Sequence, residues 1–165
     1  MDPLVVTAVL DEPAQFRLNA LRRRHFPSDR NHLDAHVTLF HALSGELETQ
    51  VAAALTDAAR REPPEAVVGG PRLLGRGVAF RIDAPDLLAL RADLARTFDP
   101  WLTRQDRGKR ELHVTVQNKV SPQHARDLHA ALSGEPLERT AVVALGLWRY
   151  RGGPWEPVAT FPFAP

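Results

Sequence analysis

Four landmarks of this sequence recur at a nearly constant distance, and the recurrence limits what the chain can fold into. Asp11-Glu12-Pro13 returns as Asp83-Ala84-Pro85, and His36-Val37-Thr38-Leu39 as His113-Val114-Thr115-Val116. Ser44 returns as Ser121, and Ala66-Val67-Val68 as Ala141-Val142-Val143. The offsets are 72, 77, 77 and 75 residues. Spacing this regular indicates two copies of one β-α-β-α-β unit. At 165 residues the chain is too short for a solenoid of many small repeats. It suits a single two-lobed α+β domain over residues 1–165.

Local patterns fill in that outline. Leu4 to Leu10 is a β-branched apolar run, expected as a strand buried on both faces. Asp11 is positioned to cap a helix with Pro13 in its first turn. The pattern predicts a strand over 36–43, an amphipathic helix over 46–61 and a strand from 66 with a bend or bulge at Gly69-Gly70-Pro71. It then predicts a strand over 78–82, a helix from 85 to Phe98, a charged loop over 105–111 and a strand over 112–120. Ser121-Pro122 starts a helix that Gly134 closes, and 140–150 with 158–163 forms a final hairpin.

Composition removes several classes of function. The chain has no Cys, which excludes disulfide scaffolds, zinc-thiolate sites, iron–sulfur clusters and thiol nucleophiles. The formal net charge of +1 argues against a protein held on nucleic acid by bulk charge, although Arg outnumbers Lys 19 to 2 and guanidinium suits bidentate phosphate binding. The acidic start, Met1-Asp2-Pro3, and the short apolar run behind it do not read as a signal peptide, and no window is apolar enough to span a membrane. A cytoplasmic protein with no membrane partner is expected.

The chemistry is concentrated in the repeated His-x-Thr-hydrophobic motif. With 7 His and 9 Thr, chance would supply roughly 0.4 His-x-Thr tripeptides; two occur, at equivalent places in the pseudo-repeat. In a regular strand alternate residues share a face, so His36, Thr38 and Phe40 point one way, as do His113, Thr115 and Gln117. Symmetric lobes would bring both faces to one cleft, with two imidazoles flanking a substrate and two hydroxyls aimed at its middle. Imidazoles titrate near neutrality, so one serves as base and the other as acid at a phosphodiester. The hydroxyls would donate to non-bridging phosphate oxygens. The symmetry of the motifs leaves base and acid unassigned. No metal or other cofactor is required.

Paired His-x-Thr-hydrophobic motifs in a small pseudo-symmetric chain resemble the two-histidine (2H) phosphoesterase superfamily. The wording His36-Val37-Thr38-Leu39-Phe40 and His113-Val114-Thr115-Val116-Gln117-Asn118-Lys119 is most similar to its bacterial 2′-5′ RNA ligase-like branch. The resemblance implies two lobes, each an antiparallel sheet with helices on its outer face, around a central cleft. It implies catalytic His36 and His113 and phosphate-binding Thr38 and Thr115. It also implies metal-free opening of 2′,3′-cyclic phosphates on RNA ends or nucleotides to 2′-phosphates, with reversible 2′-5′ RNA joining in some members. A monomer is expected.

Other residues are weaker candidates for substrate contact: Phe40 as a base-stacking ring, Gln117 as its polar counterpart, and Arg104, Arg107, Arg110 or Arg149 as a phosphate partner. Trp148 and Trp155 flank Arg149 in the last hairpin. Three rival readings remain. One is an enzyme acting on another cyclic phosphate such as an ADP-ribose derivative. Another is a non-catalytic RNA-binding module. The third is a metal hydrolase built on His32, His36 and His41, although the five-residue step from 36 to 41 puts those two on opposite faces of a regular strand.

Overall fold

The computed structural model describes all 165 residues. Seven strands form one antiparallel sheet: β1 (Leu4–Leu10), β2 (Val37–Leu43), β3 (Glu65–Leu73), β4 (Val78–Asp83), β5 (Leu112–Gln117), β6 (Glu138–Tyr150) and β7 (Trp155–Pro162). Five helices accompany them: α1 (Glu12–His25), α2 (Glu48–Ala58), α3 (Pro85–Phe98), α4 (Arg104–Gly108) and α5 (Pro122–Leu132). The strand order is β1-β2-β5-β4-β3-β6-β7, and β1 also pairs with β6. Six strands therefore close into a barrel-like ring, with β7 added to β6 outside it. No helix is long and apolar enough to cross a membrane.

The landmark residues do the local work their types suggest. Asp11 caps α1, one carboxylate oxygen accepting from the Ala14 amide at 3.2 Å, and the other accepts from the Ala141 amide of β6 at 3.1 Å. Ser121 caps α5 by accepting from the His124 amide. α3 begins on Pro85 without a side-chain cap. α2 is shorter than the apolar pattern suggests, because Gly45–Leu47 first makes one 3-10 turn. The charged segment 105–111 is not simply loop: Thr103 caps α4 by accepting from the Asp106 amide at 3.2 Å.

The sequence repeat is a structural two-fold in which β1, β2 and β3 correspond to β4, β5 and β6. At two points a strand pairs with its own counterpart: Val37 with Val114, and Ala66 with Thr140. These are 77 and 74 residues apart. Even the irregularities repeat. Val6 pairs with Phe40 while Thr7 pairs with Thr38, leaving one extra residue in β2. Val78 pairs with Gln117 while Ala79 pairs with Thr115, leaving one extra in β5. The bulge between Val68 and Pro71 in β3, where Gly69-Gly70 signalled it, has its counterpart between Val142 and Ala144 in β6.

The first helix of each half serves the other half. α1 leaves β1 but lies over β5. Its Arg17 sits over the Phe80 ring of β4, and its Arg22 donates to the Thr115 carbonyl at 2.9 Å. α3 leaves β4 but reaches β2, where Phe98 packs edge-on against Phe40 with centroids 5.8 Å apart and Arg91 donates to the Leu39 carbonyl at 2.8 Å. A single cluster of 35 buried apolar residues draws on both halves, so the lobes share one core.

Asp11→Ala removes the α1 cap and the bond to β6 together. The expected loss is about 1–2 kcal/mol of unfolding free energy, read as a lower urea midpoint with an unchanged m-value.

Candidate active site

The two motif strands lie side by side. The antiparallel register around Val37–Val114 sets His36 across from Thr115 and Thr38 across from His113. Both valines are fully buried in the core, while the two histidines and two threonines stay partly exposed. Four polar side chains from sites 77 residues apart thus share one face.

His36 is the more tightly held imidazole. Its Nδ1 lies 2.7 Å from the Asp34 carbonyl. A carbonyl only accepts, so Nδ1 carries the proton and Nε2 is left free. The ring leans on Trp155 with centroids 4.8 Å apart, and Trp155 lies against Trp148 at 6.0 Å. Trp148 Nε1 donates to the Thr7 hydroxyl at 3.0 Å, and Thr7 pairs with Thr38 across β1 and β2. This packing needs Gly146: a Cβ there would come within 2.7 Å of Thr7 Oγ1.

Both motif imidazoles favour the neutral form. Burial lowers the His36 pKa, and Arg22 and His41 add to that while the Asp34 carbonyl opposes it. Burial also lowers His113, and the positive charges of Lys109, His41 and Arg72 help bring it to about 4. A hollow of about 660 Å³ opens beside His36, lined in part by Thr7, Gln15, Arg23, Asn31, Trp148 and Trp155. A second, of about 530 Å³, runs along α3 and α4 and contains neither motif.

The weaker candidates lie elsewhere. The extra residue in β2 turns Phe40 into the core, fully buried against Phe98 and under the Arg91 guanidinium. The matching bulge in β5 buries Gln117, 6% exposed, with its Oε1 unpartnered. Regular alternation placed both on the cleft face. Arg149 grips Glu48 through two bonds of 2.7 and 3.0 Å and Glu156 through a third of 2.9 Å. Arg107 pairs with Asp99, and Arg110 donates to the carbonyls of Arg107 and Lys109. Arg104 is exposed at the start of α4. None of these four arginines lines the hollow beside His36.

Three residues outside that set matter more. His41 follows the bulge, which brings it back to the face of Thr38, so the five-residue step from His36 does not separate them. Its ring is bonded to Asp106, fully buried despite lying in a run of charges. Lys109, whose charge acts on His113, has no acidic partner within ion-pair distance, although Asp106 and Glu111 lie within three residues of it in sequence. His32, His36 and His41 do not gather as a metal-binding group.

A two-fold barrel-like sheet presenting paired His-x-Thr strands places the protein among the two-histidine phosphoesterases. The chain belongs to the 2′-5′ RNA ligase superfamily, whose family model matches residues 9–154. Similar solved structures include TT0787 of Thermus thermophilus, with TM-score 0.69 and 17% identity over 98% of this chain and 97% of that one. A structure described as a phosphoesterase matches with TM-score 0.66 and 17% identity over 100% of both chains. Escherichia coli LigT complexed with 3′-AMP matches with TM-score 0.64 and 15% identity over 99% of both. At such identities these likenesses concern the fold. No match is found among curated proteins.

The low value at His113 has a measurable sign. The unfolded imidazole takes its proton near pH 6.5 and the folded one near 4, so the unfolded state binds more protons between those limits. Stability is full above pH 6.5 and falls as pH drops toward 4. His113→Gln should flatten that acid limb in urea titrations, and the His113 ring resonances should titrate near 4 by NMR.

Proposed function

We propose that the protein opens 2′,3′-cyclic phosphates on RNA ends or nucleotides to 2′-phosphates by His/His general acid–base catalysis. The observation that carries this reading is the antiparallel pairing of the two motifs, which sets each imidazole opposite the other motif's hydroxyl. In the reaction, one imidazole takes a proton from water as the water oxygen bonds to phosphorus. The bond from phosphorus to the 3′-oxygen breaks, and the other imidazole delivers a proton to that oxygen. The Thr38 and Thr115 hydroxyls donate to the non-bridging oxygens as their charge develops. With the 5′-hydroxyl of a second RNA end attacking phosphorus in place of water, and the bond to the 3′-oxygen breaking as before, the same groups serve 2′-5′ joining of RNA ends.

Two further features support a nucleotide substrate. Trp155 and Trp148 beside the 660 Å³ hollow offer flat surfaces for a base. The complex of LigT with 3′-AMP shows a protein of similar fold in the company of a nucleotide.

The decisive experiment is incubation with 2′,3′-cyclic nucleotides and cyclic-phosphate-ended RNA, with product regiochemistry read by NMR. His36→Ala and His113→Ala should abolish turnover, and Thr38→Ala and Thr115→Ala should lower it by roughly 10²–10³-fold. Turnover should persist in EDTA. Full activity in His36→Ala would sink the assignment.

A further inference from the structure

The substrate of such a site is an anion, yet the paired motifs offer it no positive charge. Both imidazoles favour the neutral form, and the threonines are uncharged. Arg22, near His36, is buried, donates to the Asn31 side chain and the Thr115 carbonyl, and stacks on Phe26. Charge for the phosphate has to come from elsewhere in the cleft.

His41 and Asp106 form a built pair at the other end. The Asp106 carboxylate accepts from the backbone amides of His41, at 2.8 and 3.0 Å, and Ala42, at 3.1 Å, and from the His41 ring at 3.0 Å. Burial alone would raise the Asp106 pKa, but these bonds outweigh it and keep the group ionised. An ionised carboxylate only accepts, so His41 Nδ1 carries a proton and the ring's Nε2 edge is the free one. The His41 side chain is 31% exposed, and its charge acts on both His36 and His113. A carboxylate behind an imidazole fixes its tautomer and holds its ring in place, as in Asp–His pairs generally. Lys109 ends α4, its amide donating to the Asp106 carbonyl at 3.4 Å; it is half-buried at the rim of the hollow along α3 and α4, has no salt bridge, and its charge acts on His113.

We propose that His41 and Lys109 form the anion-binding wall of the cleft: His41 Nε2 and Lys109 Nζ donate to phosphate oxygens of the substrate, and Asp106 is the residue that positions the His41 ring. This deepens the phosphodiesterase reading and rests on it for the substrate's identity, but not for the binding of phosphate itself.

His41→Asn tests the proposal cleanly, because the Asn amide keeps a donor for Asp106 while deleting Nε2. Lys109→Met is the second variant, and thermal unfolding of each checks that the fold is kept. Inorganic phosphate is the probe, its binding measured by calorimetry and by competition against 2′,3′-cyclic nucleotides. Each variant should weaken phosphate binding by about tenfold, the loss of one charge-assisted hydrogen bond. KM should rise by a similar factor while kcat changes far less. His41→Gln, which carries an amide out to the Nε2 position, should recover part of the affinity. Unchanged phosphate binding in folded His41→Asn and Lys109→Met overturns the proposal, as does a wild-type protein that binds no phosphate. If wild type binds phosphate but opens no cyclic phosphate, the enzymatic reading fails while the phosphate measurements still decide the wall.

Discussion

The pairing of Val37 with Val114 is the contact on which the rest of the site depends. It lies on the two-fold, so one backbone register fixes both motifs at once. Side chains alternate along a strand, and a slip by one residue would send both histidines and both threonines into the core and bring the valines out. That slip is opposed from both sides. The valines are fully buried, and matched bulges lock β2 against β1 and β5 against β4. Arg22 and Arg91 add cross-lobe bonds to carbonyls of β5 and β2.

Around that contact the cleft is polarised. The His36 end is aromatic, with Trp155 against the ring and Trp148 tied to Thr7. The His113 end is cationic, with Lys109, Arg72 and His41 acting on the imidazole. A net charge of +1 is compatible with this arrangement. Many of the nineteen arginines are engaged with neighbouring carboxylates or carbonyls, as Arg149 is with Glu48 and Glu156. Charge that is neutralised locally gives the molecule little long-range field.

Much of this architecture was legible because it rests on short-range signals. The Asp11 and Ser121 caps, the proline-led helices and the Gly69-Gly70 bulge all act within a few residues. The repeat offsets expose the two-fold directly. What strand periodicity could not reveal was the extra residue after Thr38 and Thr115. One unseen bulge, repeated in each half, accounts for three departures at once: Phe40 and Gln117 turn into the core, and His41 joins the cleft. The Arg candidates near the second motif fared differently for an electrostatic reason. A run such as Arg104-Gln105-Asp106-Arg107 looks solvated, whereas the fold selects Asp106 for complete burial because two amides and an imidazole await it. Partnering of that kind depends on chain 65 residues away.

The exchange of α1 and α3 bears on how the chain acquires its structure. The apolar face of each helix is completed by strands from the opposite half, and β6 is long enough to pair with β1, β3 and β7. Neither half is therefore a folding unit. Closure of the ring requires β1 to find a partner more than 130 residues downstream, so loop-closure entropy is spent before the core can form. Acquisition of the fold should be slow for a domain of this size and cooperative across both lobes. A break in the turn between β3 and β4 would leave two fragments that gain order only by associating with each other.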